Sequence, residues 1–179
     1  MESSTNTLTP AETSSENCAG MLAQPQKQHQ WLQKMVGDWT FESECAGEPG
    51  QPAQKFKGTE RVKSLGDLWI VGEGDGDMPG GGRAKMMLTL GFDPKRNRFV
   101  GTWCGSMMTH LWVYDGELDA AEGVLTLNAE GPSFTDPNKI AKYQDIFEVV
   151  SENHRILRSR NQGEDGKWTQ FMEAHYRRR

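Results

Sequence analysis

The stretch from Pro25 to Cys45, PQKQHQWLQKMVGDWTFESEC, changes its hydrophobic period halfway along. Before Gly37, the residues His29, Leu32, Met35 and Val36 recur at intervals of three and four, the spacing of one helix face, and Pro25 suits a first helical turn. After Gly37 the period is two: Trp39, Phe41, Ser43 and Cys45 alternate with Thr40, Glu42 and Glu44, as a half-buried strand requires. A glycine at the change can take the left-handed conformation that caps a helix, so Gly37 is expected to end the helix. A short helix should therefore run straight into a first strand.

Working outward, the rest of the chain reads as a meander. Strand-like runs fall at 55–65, 68–75, 83–92, 98–106, 110–118, 124–130, 140–150, 155–161 and 167–176, which with the first strand makes ten. Turn residues separate them, including Gly66-Asp67, the glycine-rich 76–82, Asp93-Pro94-Lys95-Arg96-Asn97 and Gly163-Glu164-Asp165-Gly166. Parallel neighbours would need long crossovers, and the chain has no second helical segment to supply one. Ten antiparallel strands left open would expose two long edges, so an all-β, closed up-and-down barrel with a helix across one end is expected. Alternation puts Ala84, Met86, Leu88 and Leu90 inside, with Phe99, Gly101 and Trp103, and with Trp168, Met172, Ala174 and Tyr176. For the strand at 110–118, the large aromatics favour His110, Trp112 and Tyr114 as the inner set over Leu111 and Val113.

Composition narrows the function classes. The formal net charge is -5, so a sequence-independent grip on nucleic acid or anionic lipid is not expected; the only basic cluster is Arg177-Arg178-Arg179. Cys18, Cys45 and Cys104 are odd in number and lack Cys-x-x-Cys spacing, which argues against zinc ribbons and disulfide scaffolds and for a cytoplasmic, reducing setting. Residues 1–23 are polar and aperiodic, with neither a signal-peptide pattern nor a spanning stretch, and are expected to form a disordered leader containing Cys18. Residues 24–179 form a single expected domain.

His29-x-x-Leu32, Gly37-Asp38-Trp39, Gly58-Thr59, Leu68-Trp69-Ile70, Gly91-Phe92-Asp93, Thr102-Trp103 and Asp165-Gly166-Lys167, taken in order, resemble a bacterial family of calycin-like barrels catalogued as a domain of unknown function. Lipocalins, fatty-acid-binding proteins and nitrobindin-like haem barrels are its more distant kin. The resemblance runs from about Gln28 to Arg177 and implies a fold without a substrate; Cys104 stands where an acidic residue is common in that pattern. Lipocalin-like barrels imply that Trp39 plugs the base of the barrel under a cation from the last strand, Arg177 or Arg178. Fatty-acid-binding proteins imply a carboxylate clamp from Tyr176 and Arg178, assisted by Arg158 and Arg160, although surface pairing of these arginines with Glu148 or Glu173 is the alternative. Nitrobindin-like barrels imply haem ligation, for which His175 is the candidate, against its parity opposite Tyr176.

Other constellations are weaker. Cys104 and His110 flank a turn and suggest a thiolate pair, but no orienting acid or oxyanion device accompanies them. Gly72-Glu73-Gly74-Asp75-Gly76-Asp77 lacks both the helix of a phosphate loop and the closing glutamate of a calcium loop. It reads instead as an acidic hairpin at the barrel mouth. His29 has no partner histidine one turn away and reads as a helix residue near the rim.

The leading expectation is a noncatalytic barrel that holds one small, largely apolar or carboxylated molecule, with Trp103, His110, Trp112, Tyr143, Arg158, Arg160 and Tyr176 as candidate ligand contacts. No catalytic residue, metal or resident cofactor is assigned. The alternatives are an enzyme using His110, Cys104 or interior arginines, and a filled barrel that acts as a structural or homodimeric module, for which the exposed Met107-Met108 hairpin is suited.

Overall fold

The computed structural model describes residues 23–45, 53–78 and 81–179. The expected disordered leader, with Cys18, lies outside the described residues but for Ala23. Among the described residues, one helix, α1 (Lys27–Gln33), precedes ten strands: β1 (Gly37–Cys45), β2 (Gln54–Leu65), β3 (Trp69–Asp77), β4 (Arg83–Asp93), β5 (Arg98–Gly105), β6 (Trp112–Asp119), β7 (Val124–Pro132), β8 (Ile140–Ser151), β9 (His154–Gln162) and β10 (Trp168–Arg178). Every neighbouring pair is antiparallel and consecutive, and β1 pairs with both β2 and β10, so the sheet closes into an up-and-down barrel.

The helix lies across one end and packs against β3 and β4. Its apolar face supplies Trp31, Leu32 and, just beyond its last turn, Met35, all buried with Ile70, Leu90, Phe92 and Phe99. His29 fastens it: Nδ1 accepts the Gln26 backbone N–H at 2.9 Å, and Nε2 lies 3.1 Å from the Phe92 carbonyl oxygen. With Nδ1 an acceptor, the proton sits on Nε2 and is donated to β4. His29 thus caps the helix and ties it to the barrel, buried at 3% exposure.

The barrel floor is built around Trp39. Its indole Nε1 donates to the Met35 carbonyl at 2.9 Å, and the Arg178 guanidinium stands 4.3 Å above its ring. Arg178 also donates from Nη1 to Val36 O at 2.7 Å, from Nη2 to Lys34 O at 3.2 Å and from Nε to Glu152 O at 2.8 Å. Carbonyls at a helix end have no partner within the helix, and one planar fork satisfies two of those just past α1. Of the two expected cations, Arg178 takes this position; Arg177 is exposed on the outer wall, as the strand's alternation requires.

Three local expectations need correction. The helix ends at Gln33, with Lys34 as its cap, so Gly37 does not cap it; Gly37 opens β1 at φ +142°, and a Cβ there would collide with Arg178 Nη1. The glycine is required by its positive φ, and by the space that Arg178 occupies, rather than by a helix cap. Gly76 and Asp77 lie within β3, where Gly72, Gly74 and Gly76 face inward and Glu73 pairs outward with Lys63, and Asp75 and Asp77 with Arg83. This bare face makes room for neighbours: a Cβ at Gly76 would lie 2.7 Å from Phe41 Cζ, one at Gly74 3.2 Å from Met86 Cε, and one at Gly72 3.0 Å from Glu60 Oε1. Trp168, expected inside, pairs with Gln162 and lies beneath Arg160 on the outer wall, because a bulge between Gln170 and Met172 reverses the parity of β10.

Truncating Trp39 to alanine should cost about 3–5 kcal/mol in urea unfolding, the range for a large buried aromatic. Gly37→Ala should cost more than about 1 kcal/mol, since it forces a side chain into a positive φ and against Arg178. A Gly37→Ala variant as stable as the parent would contradict this account of the floor.

Candidate functional site

Just above Trp39, Arg155 of β9 is the most enclosed charged residue, at 1% exposure. Its guanidinium lies 4.7 Å from the Trp39 ring and 4.3 Å from the Tyr176 ring, and Nη2 is paired with Glu60 of β2. Strands β10 and β1 lie between β9 and β2, so this ion pair reaches across the wall of the barrel from within. Arg155 Nε and Nη1 have no hydrogen-bond partner; the two aromatic faces supply cation–π stabilisation in their place. Burial, reinforced by Glu60, holds the Tyr176 hydroxyl far above the usual phenol range.

A second polar group lies nearer the open end. Asp145 of β8 faces inward between Tyr143 and Phe147; Tyr114 donates its hydroxyl to Oδ2 and Ser159 donates to Oδ1. Burial pushes the Asp145 carboxyl above its ordinary range, against the lowering effect of those two hydroxyls, and burial also raises Tyr114 well above the usual phenol range. Ser43 of β1 is buried at 7% exposure, and its Oγ has no oxygen or nitrogen partner.

Toward the open end, among the described residues, a cleft of about 750 Å³ lies along β1, β2 and β10; the inward Ser43, Phe56 and Met172 line it with Phe171, and so do the outward-facing Glu42, Glu44, Lys55, Lys57, Glu173 and His175. Beside it an aromatic chain continues: Phe171 to Phe134 (5.0 Å between centroids), Phe134 to Tyr143 (5.4 Å), Tyr143 to Trp112 (4.8 Å) and Trp112 to His110 (4.8 Å). Trp103 is the cross-strand partner of Trp112. The polar ends of this group are occupied within the protein. Tyr143 donates to Pro132 O at 2.6 Å, Trp112 Nε1 to Met108 Sδ at 3.1 Å, and His110 Nε2 lies 3.0 Å from Glu130 O.

The structure thus brings Trp103, His110, Trp112 and Tyr143 together at the mouth, with Trp112 and Tyr114 inside and Leu111 and Val113 outside at 51% and 61% exposure. His110 and Leu111 precede β6 rather than belong to it. Tyr176 lies deeper, on Arg155. Two expected ligand contacts need correction: Arg158 and Arg160 are on the outer wall, where Arg158 bridges Glu148 and Glu173 and Arg160 Nε donates to Gln144. Their strand alternates, so Arg155, Leu157 and Ser159 take the inner face instead. Cys104 is exposed opposite Met87, on the other side of the wall from Trp103, and forms no pair with His110. Haem on His175 does not fit: the ring stacks on His154 on the outer wall, with Nδ1 3.1 Å from His154 Nε2 and Nε2 3.1 Å from Glu173 Oε1. Among the described residues, no three His, Cys, Asp or Glu side chains converge to hold a metal. Among the described residues, no helix is long and apolar enough to cross a membrane.

Arg155, Glu60 and Asp145 are the inward polar residues that sequence reading passes over. Asp145 was signalled, because it stands at the alternate position between the aromatics Tyr143 and Phe147 of the expected strand at 140–150.

The family model described as "Protein of unknown function (DUF1579)" matches residues 24–178, and the chain belongs to that family. No curated protein matches it in sequence. Two solved structures share the fold. Rv2717c from M. tuberculosis superposes with a TM-score of 0.56 at 9% identity, covering 87% of this chain and 99% of that one. The S-type phycobiliprotein lyase CPES from Guillardia theta gives 0.55 at 12% identity, covering 93% and 98%.

Two stability effects follow from the interior charges. Removing one partner of the floor ion pair, as in Glu60→Gln or Arg155→Met, should cost about 3–5 kcal/mol, while the double variant Glu60→Leu/Arg155→Met should recover much of it. Additive losses in that double variant would contradict a coupled pair. Asp145 keeps its proton to higher pH folded than unfolded, so its contribution to stability falls as pH rises from the ordinary aspartate range through the raised value, and is constant above. Asp145→Asn should therefore gain on the parent across that window in urea midpoint. A variant that loses ground to the parent as pH rises would contradict the assignment.

Proposed function

We propose that this DUF1579 protein is a noncatalytic barrel that binds one small, largely apolar molecule, entering at the open mouth and resting against Phe56, Phe171, Met172 and the neighbouring aromatics. The observation that carries the reading is the contrast between the two ends. One is closed by α1, Trp39 and Arg178; toward the other, among the described residues, lies a cleft of about 750 Å³ lined by Phe56, Phe171, Met172 and the Ser43 hydroxyl together with charged residues of the outer face. Small-molecule sites typically occupy about 300–1,000 Å³, mostly apolar with a few polar groups that fix orientation. A site of that size in a barrel mouth suits a ligand of one or two rings or a short chain.

A carboxylate clamp from the strand arginines finds no support in the geometry. Arg158 and Arg160 face outward, and Arg155, which does face inward, already holds Glu60. The shared fold of the phycobiliprotein lyase supports the architecture and nothing finer.

Native mass spectrometry of gently purified protein should show a stoichiometric adduct of a small molecule, and Met172→Trp, which fills the cleft wall, should abolish it while the chain remains folded. Only apo mass across repeated preparations from the source organism, or an adduct unaffected by Met172→Trp, would overturn the reading.

A further inference from the structure

We propose that the ligand carries a hydrogen-bond-donating head, an amine or an alcohol hydroxyl, received by Asp145 and Ser43 in a polar layer of the barrel beneath the mouth cleft. This rests on the binding reading above and specifies the chemistry of the same site.

Three observations converge on it. Ser43 lines the cleft, is buried at 7% exposure, and its Oγ has no oxygen or nitrogen partner, only the neighbouring Cys45 thiol, a poor acceptor, on the same strand face. A buried hydroxyl left without a partner loses its hydration with no return, and such groups are rare unless something else meets them. Asp145 is an interior carboxyl whose oxygens receive only the Tyr114 and Ser159 hydroxyls, with no cation among the groups that act on it. A carboxylate offers about four acceptor positions, so acceptor capacity remains there for a donor.

Register joins the two. Ser43 of β1 is the cross-strand partner of Ala174, and Ser159 of β9 is the partner of Met172, both on β10. The two serines therefore flank β10 from either side, one inward position apart, with Ala174 opposite Ser43 and Met172 opposite Ser159 between them. Met172, on the row of Ser159, and Ser43 both line the cleft, so the layer adjoins it. Charge decides the class of head. The interior cation, Arg155, is neutralised by Glu60 and stacked between Trp39 and Tyr176. What stays available in the layer accepts hydrogen bonds, so an anionic head would meet Asp145 with no compensating cation, whereas an ammonium or hydroxyl donates to it directly.

Three probes with one apolar body and different heads test this by calorimetric titration of the full chain: cyclohexylmethylamine, cyclohexylmethanol and cyclohexanecarboxylate. The amine and alcohol should bind at least tenfold more tightly than the carboxylate. Asp145→Asn should reduce the amine's advantage over the carboxylate by tenfold or more. Ser43→Ala, which removes a hydroxyl without an oxygen or nitrogen partner, should weaken the amine and alcohol at least threefold and leave the carboxylate unchanged, so the idea stands or falls even if Asp145→Asn does not fold. Equal binding of all three probes, insensitive to both substitutions yet lost in Met172→Trp, would overturn the head-group assignment and leave the binding reading standing. Failure of all three to bind, with only apo protein in native mass spectra, would overturn both.

Discussion

The architecture depends on one stack of side chains: Arg178 over Trp39, Trp39 beside Arg155, and Arg155 between Trp39 and Tyr176 with Glu60 at its end. A barrel formed by pairing the first strand with the last must hold two chain ends together against the entropy of separating them. The stack does this with groups from β1, β2, β9 and β10, the strands on either side of the closure. Its geometry is exacting. Two guanidinium planes need aromatic faces, Arg155 needs a carboxylate, and Arg178 needs the carbonyls released at the end of α1. Breaking one partner would leave a charge buried and unpaired, which is far more costly than never having placed it there.

Because the floor is so well filled, the freedom of the molecule lies at the other end. Above Leu125, Leu127, Leu90 and Ile70, the inner face carries the small or polar Ser43, Ala174, Ser159 and Ala129 among the large aromatics Trp103, Trp112 and Tyr143. The space left by the glycines of β3 is taken largely by Phe41, Met86 and Glu60. An apolar core would be more stable with leucine or isoleucine at the Asp145 position. The hydroxyls of Tyr114 and Ser159 support the carboxyl without neutralising it, which is the disposition expected of a group kept for an interaction rather than for stability.

Much of this was legible in the sequence. The change of period at Gly37, ten alternating segments and hairpin-length turns were enough for a closed antiparallel barrel, because each signal is local and repeats. The inner face of β6 was readable from its aromatics. Trp168 was not, since a bulge at Phe171 shifts parity without any mark in the pattern. Gly37 was read as a helix cap, whereas its positive φ opens β1 and its bare face leaves room for Arg178, 141 positions away in the chain. Arg155 and Glu60 escaped notice because a charged residue in a strand ordinarily faces water, and only the pairing of two distant strands shows that these do not. Arg158 and Arg160 were preferred on the same strand for chemistry that belongs to neither.

The central claim is that the barrel is sealed at one end and openable at the other, and native-state hydrogen exchange resolved by residue tests it most directly. Amides at the floor ends of β1, β9 and β10, around Trp39, Ile156 and Tyr176, should exchange only through global unfolding. Those at the mouth ends of the same strands, around Glu44, Asn161 and Thr169, should exchange through local opening, with protection at least tenfold lower. Equal protection at both ends, or weaker protection at the floor, would contradict the account.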